Sequence, residues 1–145
     1  MDRTVRLAIA ERLLAQGTLP AVADVRAATG LAAADVDASF ARLRDGHVYI
    51  PQPDGREIYA YNPFCVGPTD FRVHAARRDW WAICGWDALG IPAALGSPGT
   101  IRAACGDGCG EELVVEVDAA GTARGEVVFG SGVPIREAWD DIRFT

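Results

Sequence analysis

The sequence predicts an α+β chain, with an N-terminal winged helix over residues 1–62 and a small mixed α/β domain over residues 63–145. Three observations carry this reading. Apolar residues recur at helical spacing up to Gly46, with a glycine after each run. The turn signal Pro53-Asp54-Gly55 separates two strand-like runs. After Asn62-Pro63-Phe64 the pattern changes to short strand-like segments around one tryptophan-rich helical stretch.

Val5, Ile9 and Leu13 fall four apart with Leu14 beside them, which predicts a helix over 3–16 that stops at Gly17. Pro20 opens a second helix over about 21–29, closed by Gly30. A third runs from about 32 to 45, with Val36, Phe40 and Leu43 on one face. A short helix, a Thr-Gly-Leu turn and a second helix match helix-turn-helix spacing. His47–Ile50 and Glu57–Tyr61 complete the wing as a hairpin. Beyond the boundary, Phe71–His74 reads as a strand, and residues 78–90 read as a helix ending before Ile91-Pro92. Ile101–Ala104, Glu112–Val117 and Gly125–Phe129 read as strands, with turns at Gly106–Gly110 and Ala119–Gly121. Arg136–Asp141 reads as a helical turn before Ile142–Thr145.

The chain has 145 residues, of which 50% are hydrophobic and 23% charged, a globular composition. A net charge of −6 and a pI near 4.8 give no general attraction to nucleic-acid phosphate or anionic lipid. The third helix sets Asp35 and Asp37 against Arg42 and Arg44, a poor phosphate-facing surface. DNA is therefore not an expected partner, and neither is a membrane, because no apolar run approaches the roughly 20 residues of a span. Glu11 and Arg12 interrupt the first helix, which excludes the apolar core of a signal peptide. The expected location is the cytoplasm. There Cys65, Cys84, Cys105 and Cys109 are free, metal-binding or catalytic thiols, or small buried hydrophobes, rather than a disulfide frame.

The stretch from Asp79 to Pro92 carries the strongest chemical signal. On a helix, Cys84 and Asp87 share a face. A thiolate suits a soft metal, and a carboxyl beside it holds or donates a proton. Burial among Trp80, Trp81 and Trp86 favours the protonated acid and walls off water. The plain alternative is a tryptophan-rich core helix that contains an inert cysteine. Cys105-Gly106-Asp107-Gly108-Cys109 places two cysteines in a Gly-rich turn. The residues that would complete a zinc set (Cys65, Cys84, His47 and His74) are scattered, so structural zinc is not expected. A tight hairpin with Cys105 partly buried and Cys109 exposed is the simpler reading. His47 helps close the wing and His74 lies at the surface near Arg72, Arg77 and Arg78.

Residues 63–145 resemble the catalytic region of alkylmercury (organomercurial) lyases. The resemblance rests on Arg78–Pro92, with Cys84-x-x-Asp87 followed by Leu89-x-Ile91-Pro92. It rests also on Ile101–Cys109, and on Val133-Pro134 with Trp139-Asp140-Asp141-Ile142 and Phe144-Thr145. The first 62 residues are similar to that family's helical domain. The resemblance implies protonolytic cleavage of a carbon–mercury bond to hydrocarbon and Hg(II), with no required cofactor, a small organomercurial as substrate and cellular thiols as partners. It implies Cys84 as the first mercury-binding cysteine, Asp87 as the proton-handling carboxylate and Cys105 as a structural cysteine. The family's second mercury-binding cysteine follows the region that Trp139–Thr145 resembles, and this sequence ends at Thr145. Three readings stay open: a longer natural product, a relative without lyase chemistry, or Cys109 or Cys65 as the second thiolate. Two other functions stay beside the lyase, namely a thiol- or metal-sensing winged-helix regulator, and the same pocket serving another small molecule.

Overall fold

The computed structural model describes residues 1–128 together with Gly130, Pro134 and Glu137. The expectations for Arg136–Asp141 and Ile142–Thr145 lie outside the described residues, Glu137 apart. The fold is α+β, and each strand pairing described within a unit is antiparallel. The chain divides into two compact units, Met1–Val66 and Gly67–Thr145.

The first unit contains α1 (Asp2–Gln16), α2 (Val22–Thr29) and α3 (Ala33–Asp45), then β1 (Tyr49–Pro51), β2 (Ile58–Tyr61) and β3 (Phe64–Cys65). Gly17 ends α1 by adopting φ 78 and donating its N–H to Leu13 O at 2.7 Å, a conformation that costs a side chain dearly. Val5, Ile9, Val25, Val36, Phe40 and Leu43 meet Tyr49 and Ile58 in one core, where the Phe40 and Tyr49 rings pack edge-on at 5.1 Å. The hairpin is tied to the helices by Glu57, whose Oε2 accepts the Val22 N–H at 2.8 Å. That bond satisfies a donor in the first turn of α2 which the helix cannot satisfy itself.

The second unit contains β4 (Phe71–Ala75), β5 (Arg78–Ala82), α4 (Gly85–Leu95), β6 (Gly99–Ala104), β7 (Glu112–Val117) and β8 (Ala123–Arg124). The strands lie in the order β5-β4-β6-β7-β8. The helix expected over 78–90 is corrected: Arg78–Ala82 is a strand, and helix begins only at Gly85. Pairing with β4 along its whole length decides it, and from Asp79 on the burial alternates, with Trp80 and Ala82 inside and the half-buried Trp81 between them. The Trp80 indole donates to Ala75 O at 3.0 Å, so this ring is held inside the unit. The helix also runs through Ile91-Pro92 to Leu95 rather than stopping before them. A helix-interior proline costs about 3 kcal/mol, but Ala88, Ile91 and Pro92 are buried against the sheet, and burial on that scale compensates. The strand expected over Gly125–Phe129 is corrected for residues 125–128, since β8 pairs Ala123 and Arg124 with β7 and ends before Gly125; Phe129 lies outside the described residues.

The hairpin between β4 and β5 turns through Ala76 and Arg77, at φ 51 and 63. Two left-handed residues make the tight turn that matches strand twist, and such turns normally carry Asn-Gly. Each side-chain-bearing residue here carries a left-handed penalty of roughly 1–2 kcal/mol. Replacing the pair by Ala76→Asn with Arg77→Gly should therefore stabilise the chain by about 1–2 kcal/mol. A higher urea midpoint at unchanged slope is the expected readout, and a lower midpoint would exclude this turn.

Gly99 sets how closely α4 approaches the sheet. A Cβ there would lie 2.9 Å from both His74 O and Pro92 Cγ, so the helix rests almost on backbone.

Candidate active site

Thr69 fixes the end of β5, its hydroxyl donating to Ala82 O at 2.7 Å. The chain then turns at Ile83, and Cys84 takes an extended conformation as the residue capping the N-terminus of α4. Its carbonyl accepts the Ala88 N–H at 2.9 Å, and its Sγ lies 3.6 Å from Asp87 Oδ2. Thiol and carboxyl thus meet across the first turn, in the arrangement of a capping residue and the third helical position. Both groups are half-buried.

Burial pushes the Cys84 thiol above its ordinary range and the Asp87 charge adds to this, while the backbone N–H groups of Asp87 and Trp86 pull the other way. Burial likewise raises the Asp87 carboxyl, and the hydrogen bond from the thiol offsets part of the rise. Two neighbouring acids that both resist ionisation form a store of protons beside a sulfur ligand.

A second cluster lies in the turn from β6 to β7. Cys105, Asp107 and Cys109 bring their sulfur and carboxylate atoms within 4.8 Å of one another. Among the described residues, this is the one group of three or more His, Cys, Asp or Glu side chains that converges so closely. Asp107 Oδ1 accepts the Cys105 thiol at 3.1 Å and the Cys109 N–H at 2.8 Å. The Cys109 thiol and N–H, then the Cys105 thiol, hold the Asp107 carboxyl down at about 2. Phe71 pairs with Ala82 on one side and Ala103 on the other, so β5 and β6 run parallel and leave the sheet at the same end. Cys84 follows the first of these strands and Cys105 the second.

Residues 64–145 match the alkylmercury lyase family. The chain belongs to the alkylmercury lyase family. Among solved structures, the crystal structure of the mercury-bound form of MerB2 aligns with a TM-score of 0.63 at 19% sequence identity. The alignment covers 79% of this chain and 56% of that one, so this chain spans little more than half the length of that structure. Comparison with curated proteins gave no match.

Within this alkylmercury lyase family member the expected site residues are distributed unevenly. Cys84 and Asp87 come together as their spacing suggested, although from a helix start rather than a helix face. The tryptophans do not share one wall: Trp80 is in the core, Trp81 lies where a Gly67 Cβ would fall 2.1 Å from its ring, and Trp86 is 72% exposed. Cys65 is buried in β3 of the first unit. His74 is exposed and bonds Asp79 through Nδ1 at 2.9 Å. Sequence reasoning missed two supporting residues, Thr69 and Gly67. Both stand in Gly67-Pro68-Thr69, which reads from sequence only as punctuation.

Proposed function

We propose that this chain cleaves carbon–mercury bonds by protonating carbon. The observation that carries the reading is the 3.6 Å contact between Cys84 Sγ and Asp87 Oδ2 at the start of α4. Mercury is soft and prefers thiolate. As the organomercurial binds, a sulfur–mercury bond replaces the bond from mercury to its outgoing ligand, which leaves with the Cys84 proton, while the Asp87 carboxyl keeps its own. A second thiolate, from a small cellular thiol or Cys109, adds electron density to the metal and makes the bound carbon more basic. The carbon–mercury bond then breaks as carbon takes the Asp87 proton. Hydrocarbon leaves and Hg(II) stays on sulfur, with no change of oxidation state and no further cofactor. Trp81 beside Gly67 and the buried Trp80 keep the sheet next to this turn dry.

The first unit serves in this proposal as a winged-helix scaffold. Arg26 pairs with Asp37, Arg42 with Asp2, and Arg44 with Asp45. Arginines already held by carboxylates favour a scaffold over a phosphate-binding surface. Among the described residues no helix is long and apolar enough to cross a membrane. The reducing cytoplasm suits this chemistry because free thiols persist there.

The test is hydrocarbon release from an arylmercury compound with excess small thiol, comparing the chain with Cys84→Ser. Release that disappears in the variant is expected. Release at the same rate in both would remove Cys84 from the chemistry and end this reading.

A further inference from the structure

The thiols of the β6–β7 turn stand outside the chemistry assigned to Cys84 and Asp87, unless Cys109 serves as the second thiolate. We propose that this turn is a separate, exchangeable site for a soft d10 cation, bound through Cys105 Sγ, Cys109 Sγ and the Asp107 carboxylate.

The geometry of the turn is set by its backbone. The Cys105 N–H donates to Glu111 O at 2.9 Å and the Gly108 N–H to Cys105 O at 3.2 Å. Gly108 and Gly110 take φ 77 and 81, values that carry little strain only for glycine. The chain therefore doubles back within five residues and brings both sulfurs close to the Asp107 carboxylate. Metal–sulfur bonds near 2.3 Å allow two sulfurs on one ion to stand up to about 4.6 Å apart. The three donor atoms here lie within 4.8 Å of one another, so small side-chain rotations close them on one ion.

The donor set selects the ion. Two thiolates favour zinc, cadmium or mercury over calcium or magnesium. Binding replaces the thiol protons, one of which Asp107 already accepts. Three protein ligands leave a coordination position open, as sites that exchange ligands do and closed structural zinc sites do not. Asp107 and Cys109 are exposed, which gives an incoming thiol-bound ion direct access.

The test uses the full chain as Cys84→Ser, reduced and free of oxygen, titrated with cadmium ion. Sulfur-to-cadmium charge-transfer absorption reports the ligands. One cadmium per chain with this absorption is expected. It should vanish in Cys84→Ser with Cys105→Ser and Cys109→Ser, and Asp107→Asn should weaken affinity by roughly tenfold or more. Cys109→Ser alone changes an exposed atom, and its unchanged circular dichroism separates loss of the site from loss of fold. Absorption that survives in the triple variant, or that is missing from Cys84→Ser itself, overturns the proposal. No organomercurial enters the experiment, so failure of the lyase reading leaves this result intact, and the converse holds too.

Discussion

Asp87→Asn should slow hydrocarbon release by about 10²–10⁴-fold, the usual contribution of a positioned proton donor. Mercuric-ion binding to Cys84 should change little, because the amide keeps the shape of the carboxyl and removes only its proton. A variant that loses binding and turnover together would show that Asp87 holds the metal rather than the proton. The same carboxyl has a stability signature. Burial raises its folded-state pKa above the ordinary 3.8, so the folded chain holds this proton more tightly than the unfolded one. Its contribution is complete below the ordinary carboxyl value and is lost as pH rises through the raised one. Asp87→Asn should therefore flatten the decline in melting temperature over that window. An identical pH profile in parent and variant would contradict the burial of this group.

Ile91→Ala is the second large effect. Ile91 is fully buried on the face of α4 that packs against β4, β5 and β6. Removing its branched side chain leaves a cavity that Pro92, lodged against Gly99, hinders from closing. The expected cost is about 2–5 kcal/mol, read as a lower denaturant midpoint at unchanged slope. A loss below about 1 kcal/mol would mean that the helix face is not sealed on the sheet.

The contrast between well and poorly read segments is physical. The helices of the first unit were legible because apolar residues repeat every three to four positions and glycines end each run. Glu112–Val117 was legible from both its bounds, set by the glycine-rich turn before it and the Asp-Ala-Ala-Gly turn after it. Arg78–Ala82 was not, because adjacent tryptophans suit helix and strand alike, and the deciding turn uses Ala76-Arg77 without any turn residue. The pairing of Cys84 with Asp87 survived that error, since a capping residue and the third helical position are as close as two residues on a helix face. Trp86 illustrates the reverse. Its place beside Cys84 in sequence suggested enclosure, but the second position of a helix that starts at Gly85 points it outward. The closeness of Cys105, Asp107 and Cys109 depends on backbone angles at Gly108 that spacing alone does not specify.

β4 is the common ruler for both sulfur-bearing segments. Val73 faces Trp80 on one edge and Ile101 on the other, so each neighbour takes its alignment from the same strand. A slip of one residue in β4 would turn Val73 and Ala75 out of the core and shift the chain leading to Cys84 and to Cys105 in the same event. A β4 variant that lost turnover and cadmium absorption together would thus carry one misaligned strand rather than two separate lesions.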